Sequence, residues 1–222
     1  GGAAFNQEVE TFMESINFPL TVGYGATECA PIITYAGCET FVPGSCGRAA
    51  RNMEVKIDSE DPENIPGEIL AKGLNVMLGY YKNIEETART IDKEGWYHTG
   101  DLGTMDADGN LFIKGRIKNM LLGPSGQNIY PEEIEDKLNS LALVVESIVV
   151  QRENKLIGLV YPDYDEVRNI GLSHEDLEKI MEENRNLLNE TQPAYCKLSA
   201  IQLTENEFEK TPKKSIKRFM YT

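Results

Sequence analysis

Three short stretches gather the side chains that could do chemistry. Tyr24, Thr27 and Glu28 stand in Gly23-Tyr24-Gly25-Ala26-Thr27-Glu28, Asp101 closes Gly95-Trp96-Tyr97-His98-Thr99-Gly100-Asp101, and Gly115-Arg116-Ile117-Lys118 follows. These groups are hydroxyls, carboxylates and cations. A carboxylate such as Asp101 has two oxygens and can accept both hydroxyls of a cis-diol at once. Near the C-terminus Lys210, Lys213, Lys214, Lys217 and Arg218 form a basic cluster, which reads either as a solubilising or membrane-surface tail or as an anion site. His98 and His174 are the only histidines, so a multi-histidine metal site is excluded. A lone His in a turn such as His98 is expected to support packing rather than acid–base work. Cys29, Cys38, Cys46 and Cys196 form no CxxC pair, which argues against a zinc site or a disulfide framework and fits a reducing compartment.

The elements that must position these groups can be read from periodicity. Val9, Phe12, Met13 and Ile16 fall at i, i+3, i+4 and i+7, which predicts a helix with one buried face, closed by Pro19. A strand over Leu20 to Tyr24 then puts Thr27 and Glu28 just beyond its C-terminal end, where open α/β sheets place ligands. Alternating Met53, Val55 and Ile57 predict a strand, residues 61–67 a turn, Ile69 to Ala71 a second strand, and Asp106-Ala107-Asp108-Gly109 a hairpin turn before Leu111 to Ile113. That turn lacks the oxygen ligands and closing Glu of a calcium loop. Beyond Arg116 the pattern becomes a small α+β unit. Pro131-Glu132-Glu133 opens a helix buried through Ile134, Leu138 and Leu141, and a hairpin over 144–161 turns at Glu153-Asn154. Ser173 with Asp176 then caps a helix striped by Leu177, Ile180, Met181, Leu187 and Leu188.

Each glycine stretch alone is weak, because such turns are common. Their order, with a gap of ~15 residues between the last two, closely resembles the adenylate-forming enzymes, specifically their long-chain fatty acyl-CoA ligase branch. The run Gly123-Pro124-Ser125-Gly126-Gln127-Asn128-Ile129-Tyr130-Pro131-Glu132-Glu133-Ile134-Glu135 is similar to that branch as well. The resemblance covers essentially the whole chain but only the C-terminal part of the family's chain. Gly1-Gly2-Ala3-Ala4 already matches the adenine-contacting Gly-Gly-Ala, so the phosphate loop ending in Pro-Lys-Gly is expected upstream, and these residues alone are expected not to catalyse adenylation.

What the resemblance implies is an α+β (mixed α/β) fold. Residues 1–115 would form the end of the large nucleotide-binding domain, with a β-rich subdomain, and residues 116–222 a small mobile domain hinged near Lys118. The implied activity is acyl adenylation by ATP with magnesium, releasing pyrophosphate, then thioester formation with coenzyme A, releasing AMP, in fatty acid metabolism. Gly2 and Ala3 would contact adenine and Tyr24 would stack near it. Gly25 would belong to the same nucleotide loop, the Thr27 hydroxyl would bond phosphate, and Glu28 would ligate magnesium. Asp101 would take the ribose hydroxyls, with Arg116 as a second ribose contact. Gly126 would line the channel for the pantetheine arm of coenzyme A, where a side chain would block the approach.

The chain departs from the family pattern at the C-terminal catalytic lysine. The expected slot, before Ile216 and three residues ahead of Arg218, holds Ser215. A serine hydroxyl cannot replace an ammonium that bridges the substrate carboxylate and the α-phosphate, so Lys214 is expected to take the role by a one-residue shift. The rival reading is a weakened or absent adenylation lysine.

At 222 residues with a net charge of −14, from 36 acidic against 22 basic residues, the chain can hold two modest domains and is a poor match to a nucleic acid. No apolar run reaches the ~18 residues of a membrane span and no signal segment opens the chain. The expected partners are therefore small molecules and the expected location cytoplasmic, with peripheral membrane contact left open. The competing functions are a ligase acting on a carrier-protein thiol, which an acidic chain disfavours, and a non-catalytic nucleotide-binding module.

Overall fold

The computed structural model describes residues 7–212 and 214–222. The chain divides into two units, one ending at Lys118 and the other running Asn119–Thr222. The fold is mixed α+β, with antiparallel strands and few helices.

In the first unit, α1 (Gln7–Ser15) precedes a three-stranded antiparallel sheet of β1 (Gly23–Gly25), β2 (Ile32–Tyr35) and β3 (Arg48–Ala49). A four-stranded meander follows, β4 (Met53–Asp58), β5 (Gly67–Gly73), β6 (Tyr97–Met105) and β7 (Leu111–Arg116), with α2 (Ile84–Thr90) inserted between β5 and β6. The strand period of two decides which side chains go inside: Met53 and Ile57 are buried while Glu54, Lys56 and Asp58 stand in solvent. These join Tyr24, Cys29, Ile33, Ile69, Ala71, Tyr97 and Leu111 in one apolar cluster that takes side chains from both sheets.

Three expectations are corrected here. The apolar face of α1 is exposed, with Phe12 at 60% and Ile16 at 54%, while Glu10 is the residue turned inward, its carboxylate accepting the Gly44 N–H. Periodicity reports that a face is apolar, not what covers it. The helix also stops at Ser15, before Pro19, as Asn17 turns left-handed. The strand that reaches the Thr27–Glu28 segment is short and antiparallel to β2 rather than part of a parallel α/β sheet.

In the second unit, β8 (Leu121–Leu122) and β9 (Asn128–Ile129) form a small ribbon before α3 (Pro131–Leu138). The long hairpin of β10 (Val144–Arg152) and β11 (Lys155–Pro162) is joined by α4 (Tyr164–Asn169) and α5 (His174–Glu190) to β12 (Leu198–Leu203), which pairs parallel with β11. A parallel neighbour requires a long crossover connection, which here is helical. Ser173 and Asp176 start α5 with a reciprocal capping box. Leu177, Met181 and Leu188 point into the core, but Leu187 is exposed, since it sits about 100° round the helix from Leu188.

The sheet has two covered faces. Val149, Leu156 and Val160 pack with Ile134 and Leu138 of α3 and with the α5 stripe. Their strand neighbours Ile148, Val150 and Leu159 face the other way, onto Phe208 with Ile216 and Tyr221 from the C-terminal segment. Phe208 and Tyr221 meet edge to face with centroids 5.1 Å apart. No described helix is long and apolar enough to cross a membrane.

Glu135 fastens α3 to both partners. Strand β10 is a sheet edge, and the buried Glu135 carboxylate accepts the outward Val149 N–H while pairing with the Arg218 guanidinium. Burial pushes the Glu135 carboxyl up to about 7 from its ordinary 4.5, against the pull of Arg218 and Val149. A carboxyl whose folded value lies above its unfolded one contributes stability that is present at low pH and lost as pH rises through that interval. In urea melts between about pH 5 and about pH 8, wild type should lose stability relative to Glu135→Gln as pH rises, by a few kcal/mol at about 1.4 kcal/mol per pKa unit. A difference that stays constant with pH would show Glu135 ionised throughout.

Candidate functional site

Asp101 is the centre of the first unit's polar constellation. It is 8% exposed, and burying a carboxylate is costly unless it is paired. Both oxygens are paired: Oδ1 lies 2.9 Å from Arg116 Nε and Oδ2 accepts the Tyr24 hydroxyl at 2.6 Å. Arg116 arrives because β6 and β7 register Asp101 directly opposite it. Tyr24 arrives because β1 buries its ring in the cluster common to the two sheets. Burial first, and then the Asp101 charge, raises the Tyr24 phenol above its ordinary range, so it stays a neutral donor. The Tyr24 ring thus belongs to the core cluster and its hydroxyl to Asp101.

Strand β1 runs straight into a single 3-10 turn over Thr27–Cys29. Gly25 closes the strand, Thr27 is exposed, and Glu28 is half-buried. Glu28 Oε1 accepts the Tyr80 hydroxyl at 2.9 Å and its carbonyl accepts the Met77 N–H. Burial followed by Glu28 raises Tyr80. Tyr97 is raised by burial and then by Glu28, with a smaller contribution from Asp101, so one phenol feels both carboxylates. Tyr24, Gly25, Thr27, Glu28, Asp101 and Arg116 thus belong to one unit. Gly2 and Ala3 lie outside the described residues.

Among the described residues, no group of three or more His, Cys, Asp or Glu could hold a metal by itself. Glu28 offers a hard cation one carboxylate, and a ligand's own oxygens would have to complete the shell. His98 is held between carboxylates, with Nδ1 2.8 Å from Glu68 Oε2 and Nε2 3.9 Å from Asp92 Oδ2. Neither Glu68 nor Tyr80 was singled out by the sequence, because His98 and Glu28, their partners, lie far off along the chain; Asp92 binds within its own turn, to Glu94 and Trp96, and a turn-capping Asp carries no signal of its own.

The remaining expected residues occupy separate places. Lys118 is exposed, in the 3-10 turn over Ile117–Asn119, and is the last residue of the first unit. Gly126 sits in the turn between β8 and β9 at φ +82, and a Cβ there would meet nothing within 4 Å. Its glycine answers a left-handed backbone rather than crowding within the described chain. Lys214 is exposed, at φ +62, in a turn closed by the Thr211 N–H to the Ser215 carbonyl and the Lys214 N–H to the Thr211 carbonyl. Lys213 lies outside the described residues. The rest of the basic cluster is engaged: Lys210 with Glu146 at 2.7 Å, Lys217 with Glu209 at 3.5 Å, and Arg218 with Glu135. A free basic patch made of all five residues is therefore not what folds here.

Residues 1–81 match the family model described as AMP-binding enzyme. Among curated proteins, 4-coumarate–CoA ligase 5 of Oryza sativa subsp. japonica is 37% identical over 172 residues, which takes in 71% of this chain. The 4-coumarate–CoA ligase of Vanilla planifolia is 39% identical over 175 residues, 72% of this chain. The chain spans 31% of the length of each of these relatives. In fold it is similar to the O-succinylbenzoate coenzyme A synthetase from Bacillus subtilis in complex with AMP, with a TM-score of 0.81 and 24% identity over 100% of this chain and 44% of that one. An anthranilate CoA ligase in complex with anthranoyl-AMP gives a TM-score of 0.80 at 23% identity, over 99% of this chain and 41% of that one. With the family model at one end of the chain and relatives over most of its length, the chain belongs to the AMP-binding, adenylate-forming enzymes.

Proposed function

We propose that the chain is the C-terminal part of an ATP- and magnesium-dependent acid–coenzyme A ligase. The observation that supports this best is Asp101, a buried carboxylate brought together with Arg116 and Tyr24, the kind of group that can accept both hydroxyls of a ribose cis-diol. In the first half-reaction the substrate carboxylate attacks the α-phosphate of ATP, an acyl–phosphate bond forms, and the bond to the β-phosphate breaks with release of pyrophosphate. In the second, the coenzyme A thiol loses its proton and attacks the acyl carbonyl, a carbon–sulfur bond forms, and AMP leaves. Thr27 would donate its hydroxyl to phosphate and Arg116 would present its remaining N–H groups to the nucleotide. Glu28 would hold magnesium, which when bound screens the phosphate charge.

The two half-reactions need different surroundings for the acyl group. Lys118, at the end of the first unit, would be the backbone position that absorbs the change between them. Gly126 would border the pantetheine arm. Lys214 would carry the ammonium that stabilises charge between carboxylate and α-phosphate during adenylation. The acyl group suggested by the Gly123 to Glu135 run is a long-chain fatty acid. A second reading, an aromatic acid, is favoured by the 37% and 39% identity to ligases named for 4-coumarate.

ATP–pyrophosphate exchange by the longer protein, with magnesium and a panel of acids, separates these readings. Exchange that peaks with long-chain acids supports the first, a peak with cinnamic-type acids supports the second, and no exchange with any acid alongside intact AMP binding points to a non-catalytic nucleotide module. In the same assay Lys214→Ala should lower exchange by about 10²-fold or more, the scale of losing one group that stabilises transition-state charge. AMP affinity should stay within about twofold. An unchanged exchange rate would place the role elsewhere.

A further inference from the structure

We propose that Glu68 is a positioning residue for Asp101, setting the selectivity of the nucleotide site for a ribose hydroxyl. This rests on the reading of Asp101 as the ribose contact. Strands β5 and β6 pair Glu68 with Leu102 and Leu70 with His98, so Ile69 alone faces Thr99, Gly100 and Asp101. Such a bulge takes backbone groups off the ladder and re-aims side chains.

The N–H groups freed this way are met by side chains. Gly100, at φ +70, donates to Glu68 Oε1 at 3.0 Å, and Asp101 donates to Thr99 Oγ1 at 3.0 Å, whose own hydroxyl is anchored on the Ile69 carbonyl at 2.8 Å. The second Glu68 oxygen lies 2.8 Å from His98 Nδ1. His98 in turn faces Asp92, whose Oδ1 accepts the N–H groups of Glu94 and Trp96, each at 2.9 Å. Glu68 is thus fixed at one oxygen and holds the residue before Asp101 with the other. Losing it leaves the Gly100 N–H without its acceptor and frees the bulge to relax, which moves the Asp101 carboxylate away from the diol without removing it.

The test is equilibrium binding of AMP and of 2′-deoxy-AMP to the longer protein. Wild type should prefer AMP. Glu68→Ala should lower the AMP affinity by about tenfold, the scale of one charge-assisted hydrogen bond, and lower that of 2′-deoxy-AMP, which keeps only the 3′-hydroxyl, by clearly less. Glu68→Gln, which keeps an acceptor for Gly100, should retain the preference. Glu68→Asp, one methylene too short, should lose it while keeping the charge, and carries the test if the alanine variant does not fold. Equal losses for both nucleotides, or a preference intact in both the Ala and Asp variants, would overturn the positioning role. A wild type that binds both nucleotides alike would instead overturn the ribose reading of Asp101, and this proposal with it.

Discussion

Asp101 has to remain an acceptor while almost out of water, and that requirement reaches through the first unit. The effective penalty of burying an ion is several kcal/mol, and it is offset here by a phenol from β1 and a guanidinium from β7. Tyr24 can deliver its hydroxyl only because its ring is wedged among Ile33, Met53, Ile69 and Leu111, residues of both sheets. The packing of the two sheets therefore sets where the carboxylate sits. Arg116, by contrast, is delivered by strand register alone. One oxygen is located by packing and the other by the hydrogen-bond ladder, two mechanisms that fail for different reasons.

Much of the architecture was legible because it is local. The alternation at Met53, Val55 and Ile57, the Ser173 capping box and the turn at Glu153-Asn154 each state their structure within a few residues, and each appears. The α1 stripe was legible as amphipathic, yet its apolar side is the exposed one, because a pattern along one helix cannot name its neighbour. At the site the glycine stretches marked Asp101, Tyr24 and Glu28, but not how they are held. The contacts Tyr24 to Asp101, Tyr80 to Glu28 and Glu68 to His98 join residues far apart in the chain, and no spacing rule carries that information. The charge cluster misled in another way. Five cations close in sequence suggest a common field, whereas folding sends Lys210, Lys217 and Arg218 to three different carboxylates.

Those pairings give the second unit its organisation. Glu146 on β10 and Glu135 on α3 bind Lys210 and Arg218, which lie on either side of the turn that carries Lys214. The turn is held at its two stems while its tip stays exposed. A long flexible ammonium on a fixed base has a restricted reach, and one of the two carboxylates that fix the base, Glu135, also closes a sheet edge.

The segment from Phe208 to Tyr221 also covers the second face of the β10–β11–β12 sheet, over Ile148, Val150 and Leu159. The lysine turn and the apolar cover are thus one continuous piece of chain. A reading-frame change or proteolytic cut upstream of Phe208 would remove Lys214 and uncover Ile148, Val150 and Leu159 in the same event, so losing this one segment also leaves an apolar sheet face open to association.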